Sequence, residues 1–486
     1  MEKTQRLQPI LMKQNRKTML KLLVSLGIIL PASAIQAQHT GKYLKEPLPE
    51  TWVADSLFQN NAIDYSWWKS FNDPQLDSII NVAIQNNYNV LTAINRISAA
   101  RAQMRSAYGA LLPSFGLTAD FTRARSSRNA DPLLPSIYSS QYNAAIDMSW
   151  EVDIFGKIRN QANAQRKLYQ VSEDDYQSVM ISLASQIAST YFQIRTAQQL
   201  LLVTDQNIKS QESILKITEV RYNTGLASQL DVAQAKSIYY NTQASRNSIM
   251  TTISNSINSL AVLMGTYPTQ IRDAFMGAKD LPNPVHIIPV SIPGNLLLQR
   301  PDLRAAEKQI EAQAAQLGAA KADWLPSFFL NGAFGFSAPE LNHLFEKNSQ
   351  NWQIQPTMKW TIFNGGQRKE AVTAAKAVLE ENINQFNLSM LSAVQEVESS
   401  MDAYKNSIRE VNELRTVVNQ GEITLKLSID LYKEGLTEFQ NVLSAQQSLL
   451  QYQSSLTQSQ GNTLVYLVEL YKALGGGWDT ENNNNR

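Results

Sequence analysis

A duplicated pattern limits what this chain can become: its fold has to accommodate two copies of one unit, about 210 residues apart. The stretch RYNTGLASQLDVAQAK, Arg221 to Lys236, returns as LYKEGLTEFQNVLSAQ, Leu431 to Gln446. Five of the sixteen positions are identical, among them Tyr222/Tyr432, Gly225/Gly435, Leu226/Leu436 and Val232/Val442. RISAARAQMRSAYGALLPSF (Arg96 to Phe115) likewise returns as QIEAQAAQLGAAKADWLPSF (Gln309 to Phe328), and Met148, Trp150 and Ile154-Phe155 return as Met358, Trp360 and Ile362-Phe363. Because every landmark keeps its order, the chain reads as two homologous halves, 67–265 and 296–475, the signature of a repeat architecture. A connector over 266–295 with Pro268, Pro282, Pro284, Pro289 and Pro293 joins them; an N-terminal segment over 38–66 precedes them and a polar tail over 476–486 follows.

Each half contains two short stretches whose hydrophobic period drops to two. In QYNAAIDMSWEVD, Tyr142, Ala144, Ile146, Met148, Trp150 and Val152 alternate with polar residues, and in NWQIQPTMKWTI so do Trp352, Ile354, Pro356, Met358, Trp360 and Ile362. Such alternation predicts strands with one apolar and one wet face. Their hairpin partners are SFGLTADFT, with Phe115, Leu117, Ala119 and Phe121, and SFFLNGAFGF, with Phe328, Leu330, Phe334 and Phe336. The expected β-hairpins run over about 114–153 and 327–363. Two hairpins covering a soluble core is one reading. Strands of about 10 residues with aromatic ends favour the other, an outer-membrane barrel. Four strands cannot close such a barrel, which needs at least eight, and open edges are forbidden in lipid. If these strands enter lipid, several chains share one barrel. Pro356 is the awkward residue, since proline removes a ladder donor.

The remainder reads as helix, in long hairpins over about 157–264 and 366–474. From Lys157 to about Thr224 there is no proline, a reach of roughly 100 Å at 1.5 Å per residue. Ile187, Ile194, Leu201, Ile208 and Leu215 fall seven apart, and Val394, Val397, Met401, Tyr404, Ile408 and Val411 alternate threes and fours. This is coiled-coil spacing, but the flanking positions are Gln, Ser, Ala and Thr instead of charges, which suits helices that each pack on two neighbours. Gly156 and Gly365-Gly366 sit where strand becomes helix; Gly225-Leu226 and Gly435-Leu436 mark the far turns.

Residues 1–37 read as a secretory signal peptide: Lys3, Arg6, Lys13, Arg16, Lys17 and Lys21 against Glu2, then the apolar LLVSLGIIL and a small-residue end, with cleavage favoured after Ala37 over Ala34. Subtracting the leader's +5 from the formal net charge of +1 leaves −4, so nothing in the charge points to nucleic acid. The chain has no cysteine, which excludes disulfides, thiolate metal sites and a lipidated N-terminal cysteine. No run of about 20 apolar residues offers a transmembrane helix.

These features resemble the TolC-like outer-membrane factors, and among them the NodT-type outer-membrane components of RND-type efflux pumps. The resemblance rests on WWKSFNDPQLDSIINVAIQNN (Trp67 to Asn87), the repeated LPSF, SWEVDIFGK (Ser149 to Lys157), LLLQRPDLRAAEKQIEAQAAQLGAAKADWLPSFFL (Leu296 to Leu330) and YKALGGGW (Tyr471 to Trp478). It implies a mainly α fold with a transmembrane β-barrel: a homotrimer in which four strands per chain build a shared twelve-stranded barrel above a long coiled helical tunnel. The implied protein sits in the outer membrane, reaches into the periplasm, docks a periplasmic adaptor and an inner-membrane RND-type pump, and passively conducts drugs or other small solutes. A duct for type I protein secretion, or a soluble periplasmic helical scaffold, are the alternatives.

The resemblance also assigns residues. The tips for adaptor docking are Gly225, Leu226 and Ser228 in the first half and Gly435, Leu436 and Thr437 in the second. The family's tip gate carries acids and a latching arginine past the second Gly-Leu turn; here those positions read Asn441, Ser444 and Thr437, leaving Asp231, Glu434 and Glu438 as the acids near the tips. The expected lipid-facing residues are Phe115, Leu117, Tyr142, Ile146, Met148, Trp150, Phe328, Leu330, Trp352, Ile354, Met358 and Trp360. Asp231 has a competing reading as a first-turn acid that stabilises its helix. No catalytic constellation, metal site, cofactor motif or Walker A loop is present in the sequence, so no enzyme is expected. His39, His286 and His343 read as surface residues, Glu173-Asp174-Asp175 as a solvated face, and Trp67-Trp68 either as interfacial anchors or as packing of the N-terminal segment on the helices.

Overall fold

The computed structural model describes residues 43–49, 52, 58–59, 66–127, 129, 138–282, 288–289 and 300–476. The predicted leader over 1–37, most of the N-terminal segment, the connector from 283 to 299 apart from 288–289, His39, His286 and the tail from 477 lie outside the described residues. The chain divides into two compact units, Met1–Pro47 and Leu48–Arg486, and all elements below belong to the second.

In chain order these are β1 (Phe58–Gln59), a 3-10 turn (Trp67–Phe71), α1 (Pro74–Asn86), α2 (Tyr88–Gly109), β2 (Ser114–Arg125), β3 (Tyr138–Val152), α3 (Lys157–Asn223), α4 (Gln229–Leu263), the single turn α5 (Pro268–Ile271), β4 (Ile288–Pro289), α6 (Pro301–Ala322), β5 (Ser327–Ala338), β6 (Gln350–Lys359), α7 (Gln367–Lys433) and α8 (Phe439–Ala473). The duplication is visible in the lengths: α3 and α7 both have 67 residues, α4 and α8 both 35, and α2 and α6 both 22. At 1.5 Å per residue the 67-residue helices reach roughly 100 Å. One pairing was not anticipated from the sequence. Two-residue strands β1 and β4 form a parallel ladder across the connector, too short to give any periodic signal.

The four long strands form one antiparallel sheet in the order β2-β3-β5-β6. Helices repeat this lateral order twice. Next to the sheet, α3 packs between α2 and α6, and α6 packs on α7; farther along, α3 packs between α4 and α8, and α8 packs on α7. Each strand therefore continues into the helix that occupies its own position in the row, and no connection crosses another.

Short helices stack end to end beside the long ones. At the first junction Asn87 caps α2, its Oδ1 accepting from Asn89 and Val90 N–H groups, while its Nδ2 donates to the Leu263 carbonyl at the end of α4 (2.8 Å). Gly265, with φ of 67°, closes α4 against the Asn86 backbone, where a side chain has no room. At the second junction Arg300 precedes α6 and donates to the Ala473 carbonyl ending α8 (3.0 Å), with Asp302 and Glu396 pairing the rest of its guanidinium. A cation on exposed C-terminal carbonyls satisfies acceptors that the helix itself cannot.

Trp67 and Trp68 are buried, which selects packing of the N-terminal segment over interfacial anchoring. Trp67 stacks on Tyr471 of α8 (5.2 Å) and Phe71 meets Phe192 of α3 (4.8 Å). Below them lies a buried cation, Arg195, over the rings of Tyr191 and Phe275 (5.0 and 5.1 Å), donating to Gln198 and Gln75. Burial, and the hydrogen bond that Tyr191 gives Asp73, push the Tyr191 phenol up to about 12.

The coiled-coil seam differs from the expected one. In α3 Ile187 and Ile194 are buried, but farther along the buried stripe is Thr204, Asn207, Gln211, Ile214 and Thr218, while Leu201, Ile208 and Leu215 are half-buried. A straight helix turns a strict seven-residue repeat off its neighbour, so the seam drifts onto polar positions. Asn207 fills it by donating to Gln453 of α8 (2.7 Å). The acidic cluster in α3 is likewise not all solvated: Asp174 pairs with Arg304 of α6 (3.0 Å), and burial raises its carboxyl despite that partner.

Gly461 of α8 lets α3 come close: an added Cβ would fall inside the Thr196 side chain of α3. Replacing Gly461 with leucine should separate α3 from α8 and cost about 1–3 kcal/mol. The expected outcome is a lowered unfolding midpoint in detergent, relieved in part by Thr196→Gly; an unchanged midpoint would show the helices able to move apart freely.

Candidate functional site

Two regions concentrate the residues singled out from the sequence: the sheet and the helical tips. In the sheet, register converts alternation into faces. The mainly apolar rows are Phe121/Tyr142/Ala338, Ala119/Ala144/Phe336/Gln350, Leu117/Ile146/Phe334/Trp352, Phe115/Met148/Gly332/Ile354, Trp150/Leu330/Pro356 and Val152/Phe328/Met358, with Gln350 at the start of β6 the polar exception. Eleven of the twelve residues expected to face lipid lie in these rows; the twelfth, Trp360, is one residue past the end of β6. Several are more than half exposed, including Leu117 at 79% and Trp352 at 71%.

The opposite face is a polar lattice. Thr118 donates to Asp147 (2.6 Å), Asn143 to Asp120 (2.9 Å), Gln141 to Ser337 (2.8 Å), Ser337 to Asn143 (2.8 Å) and Ser149 to Asn331 (3.1 Å). Gly335 admits no side chain beside Ala144 and Ala145, which brings β5 close to β3. Pro356 lies on β6, one of the two outermost strands, where a missing donor is tolerated. The outer sides of β2 and β6 have no strand partner among the described residues.

At the inner end of the sheet both halves use the same lock. Trp150 donates its indole N–H to the Leu111 carbonyl (2.9 Å), and Trp360 does so to the Trp324 carbonyl (3.1 Å). Each bond ties a strand's end to the Leu-Pro turn that opens its partner. Gly156 and Gly366, at φ of 79° and 86°, then start α3 and α7 from a conformation that disfavours any side chain. Asp323 holds the junction by pairing with Lys157 and Arg368; burial alone would raise its carboxyl, but these partners outweigh it and keep it below the usual carboxylate range.

At the far end Gly225 and Gly435 adopt φ of 79° and 76° and close the two hairpins through matching bonds, Leu226 N–H to Arg221 carbonyl and Leu436 N–H to Leu431 carbonyl. Leu226 and Leu436 are exposed at 66% and 73%. Ser228 and Asp231 form a capping box at the start of α4, with Asp231 accepting from the Ser228 N–H (3.0 Å). The competing reading of Asp231 as a helix-stabilising acid therefore has a geometric basis.

The remaining gate candidates fall in two places. Thr437, Asn441 and Ser444 share a groove of about 690 Å³ between α7 and α8, with Asn441 donating to Thr437 (2.7 Å). No charged side chain lines it. Glu434 ends α7 and Glu438 starts α8, outside that groove. Asp231 is on the other hairpin and does not join them.

Sequence reasoning missed the residue that links the hairpins. Arg221, near the end of α3, donates to the Lys433 carbonyl that ends α7 (2.8 Å) and to Leu226 of its own turn (3.4 Å), with its guanidinium 4.8 Å from the Tyr432 ring centre. One cation thus serves two helix C-termini, the end of a helix that favours positive charge. Tyr432 packs on Phe439 (5.4 Å), within a core that draws Ile214 and Ala235 from the first hairpin and Leu425, Val442 and Leu449 from the second. The available signal was asymmetry: Arg221 aligns with Leu431, so one repeat places a cation where the other has a hydrophobe.

The family described as outer membrane efflux protein matches residues 79–266 and 292–476, once per repeat. The antibiotic efflux pump outer membrane protein ArpC of Pseudomonas putida is 30% identical over 86% of this chain and 86% of its own. Outer membrane protein OprJ of Pseudomonas aeruginosa is 28% identical over 94% and 95%. Among solved structures, the outer-membrane channel OprN superposes with a TM-score of 0.85 at 26% identity, over 89% of this chain and 98% of that one. The CmeC outer membrane channel of Campylobacter jejuni has the same fold, with a TM-score of 0.84 at 24% identity.

Arg221→Gln should loosen the second tip specifically. A hydrogen bond from a charged group contributes about 1.5–3 kcal/mol, so amide exchange over 431–436 is expected to quicken by roughly 10- to 100-fold. Exchange unchanged there would remove Arg221 from the linkage.

Proposed function

Since the chain belongs to the outer membrane efflux protein family, whose members are non-enzymatic outer-membrane channels of efflux pumps, we propose that three copies close head to tail into one duct. The observation that carries this reading is the lateral order shared by the sheet and both helix layers. It leaves β2, α2 and α4 on one edge of the chain and β6 and α7 on the other. A head-to-tail contact can therefore run along strands and helices together, pairing β6 and α7 of one copy with β2 and with α2 and α4 of the next. Exposed apolar residues on both edges fit that contact: Leu388, Leu391, Ile423 and Leu427 on α7, and Leu230, Tyr240 and Val262 on α4. Heterologous contacts that close make rings. Three copies give a twelve-stranded barrel, above the minimum of eight.

In this assembly the apolar rows face lipid. Their six rows are spaced by two residues, about 6.6 Å, and tilted strands make the band roughly 25 Å tall, the height of an outer-membrane apolar belt. The polar lattice lines the water-filled interior. The two tips of each chain, at Gly225-Leu226-Ser228 and Gly435-Leu436-Thr437, present exposed leucines to a periplasmic adaptor, and an RND-type inner-membrane pump supplies the energy. Thr437, Asn441 and Ser444 line the mouth with neutral hydrogen-bonding groups, and Asp231, Glu434 and Glu438 contribute its charge. The cargo is of the small, drug-like or solvent class, as supported by relatives named for antibiotic and toluene efflux.

The test is assembly on the two faces of one strand. Met148→Arg puts a charge near the centre of the apolar band, at about 2–4 kcal/mol per chain, whereas its neighbour Asp147→Asn alters only the polar face. Trimer mass from native outer-membrane extracts should be lost in the first and kept in the second. The reverse pattern would invert the faces, and a wild-type particle of one chain would end the ring reading.

A further inference from the structure

Beyond the outermost apolar row, β2 continues as Thr122-Arg123-Ala124-Arg125. Register sets Arg123 opposite Ser140 and Arg125 opposite Tyr138, and strand alternation puts both arginines on the side of Phe115, Leu117 and Phe121. Both are exposed, and neither forms an ion pair among the described residues. Arg125 lies 5.9 Å from the Tyr138 ring centre, which orients the guanidinium without neutralising it. The acid nearest in sequence, Asp120, is on the polar face and is bonded there by Asn143.

Two cations with no ion-pair partner among the described residues, on the apolar side of a strand, call for an anionic environment at that height. Continuity with the apolar band sets the height: it is where hydrocarbon gives way to headgroups. Alternate residues of a strand stand roughly 7 Å apart, and guanidinium groups bind phosphate oxygens in a fork that an ammonium cannot match. We propose that Arg123 and Arg125 form a rim site for the phosphate of an anionic lipid headgroup in the outer leaflet. The assignment rests on the lipid-facing reading of this sheet face given above. It adds a lipid preference to a channel that has no cysteine on which to carry an acyl chain.

The experiment uses the full chain, assembled as purified, in phosphatidylcholine vesicles containing either brominated phosphatidylglycerol or brominated phosphatidylcholine. Tryptophan quenching, with Trp352 on the lipid side as a reporter, reads the relative affinity for the two lipids. Wild type should prefer the anionic lipid at low salt, and the preference should fall roughly fivefold for each arginine replaced in Arg123→Gln and Arg125→Gln. An equal preference in the double variant, or none in wild type, would overturn the rim site. Loss of the preference on adding inorganic phosphate at constant ionic strength would overturn it in favour of a soluble-anion site. Failure of the underlying face reading looks different: an Ile146→Trp variant would then gain no quenching from either brominated lipid.

Discussion

A backbone donor or acceptor in hydrocarbon must be paired within protein, and this requirement governs the rest of the molecule. Four strands leave two unpaired edges. The edges cannot be blunted with charge or covered by a loop without spoiling the band between them, and in the proposed ring they are satisfied by other copies of the same chain. Repetition in the sequence and repetition of subunits are then two instances of one solution, in which a unit too small to close alone is multiplied until its edges disappear. The helices follow from the strands. Each strand hands its lateral position to a helix, so closing the sheet and closing the helical wall become a single event.

Much of this was legible in the sequence because it depends on local rules. Period-two alternation in QYNAAIDMSWEVD identified a strand and its faces together, since a side chain's face is fixed by parity alone. Gly225 and Gly435 announced turns because few other residues take up positive φ. The first 67-residue helix was readable from the absence of proline and glycine between Lys157 and Asn223. What stayed hidden depends on distant partners. Arg221 is an ordinary helix-surface residue until the second hairpin brings the Lys433 carbonyl and the Tyr432 ring to it. Asp174 reads as solvated until Arg304, 130 residues away, arrives beside it. The β1–β4 ladder, two residues per strand, leaves no periodic trace at all.

Comparing the repeats proved more informative where they differ than where they agree. Both keep the indole-to-carbonyl bond at the inner end of the sheet, which marks a shared mechanical need. At the tips they diverge: the first closes its turn with the Ser228–Asp231 capping box and reaches outward with Arg221, whereas the second has an uncapped Glu438 and a neutral groove. Duplication supplied the scaffold twice, and only the first copy carries the cation that ties the two tips.

The polar stripe that α3 turns toward α8 bears on stiffness. Helices joined by Ile187, Tyr191 and Ile194 resist separation, because admitting water there exposes apolar surface. Thr204, Asn207, Gln211 and Thr218 present a different surface: Thr204 and Thr218 bond carbonyls of their own helix, and Asn207 reaches across to Gln453, a bond that water can replace at little net loss. The wall thus varies along its length: apolar at Ile187 to Ile194, polar over Thr204 to Gln211, and apolar again at the core around Ile214, Val442 and Leu449 near the tips. In the proposed ring, such helices can part most easily along the polar middle stretch, while the apolar contacts on either side of it hold.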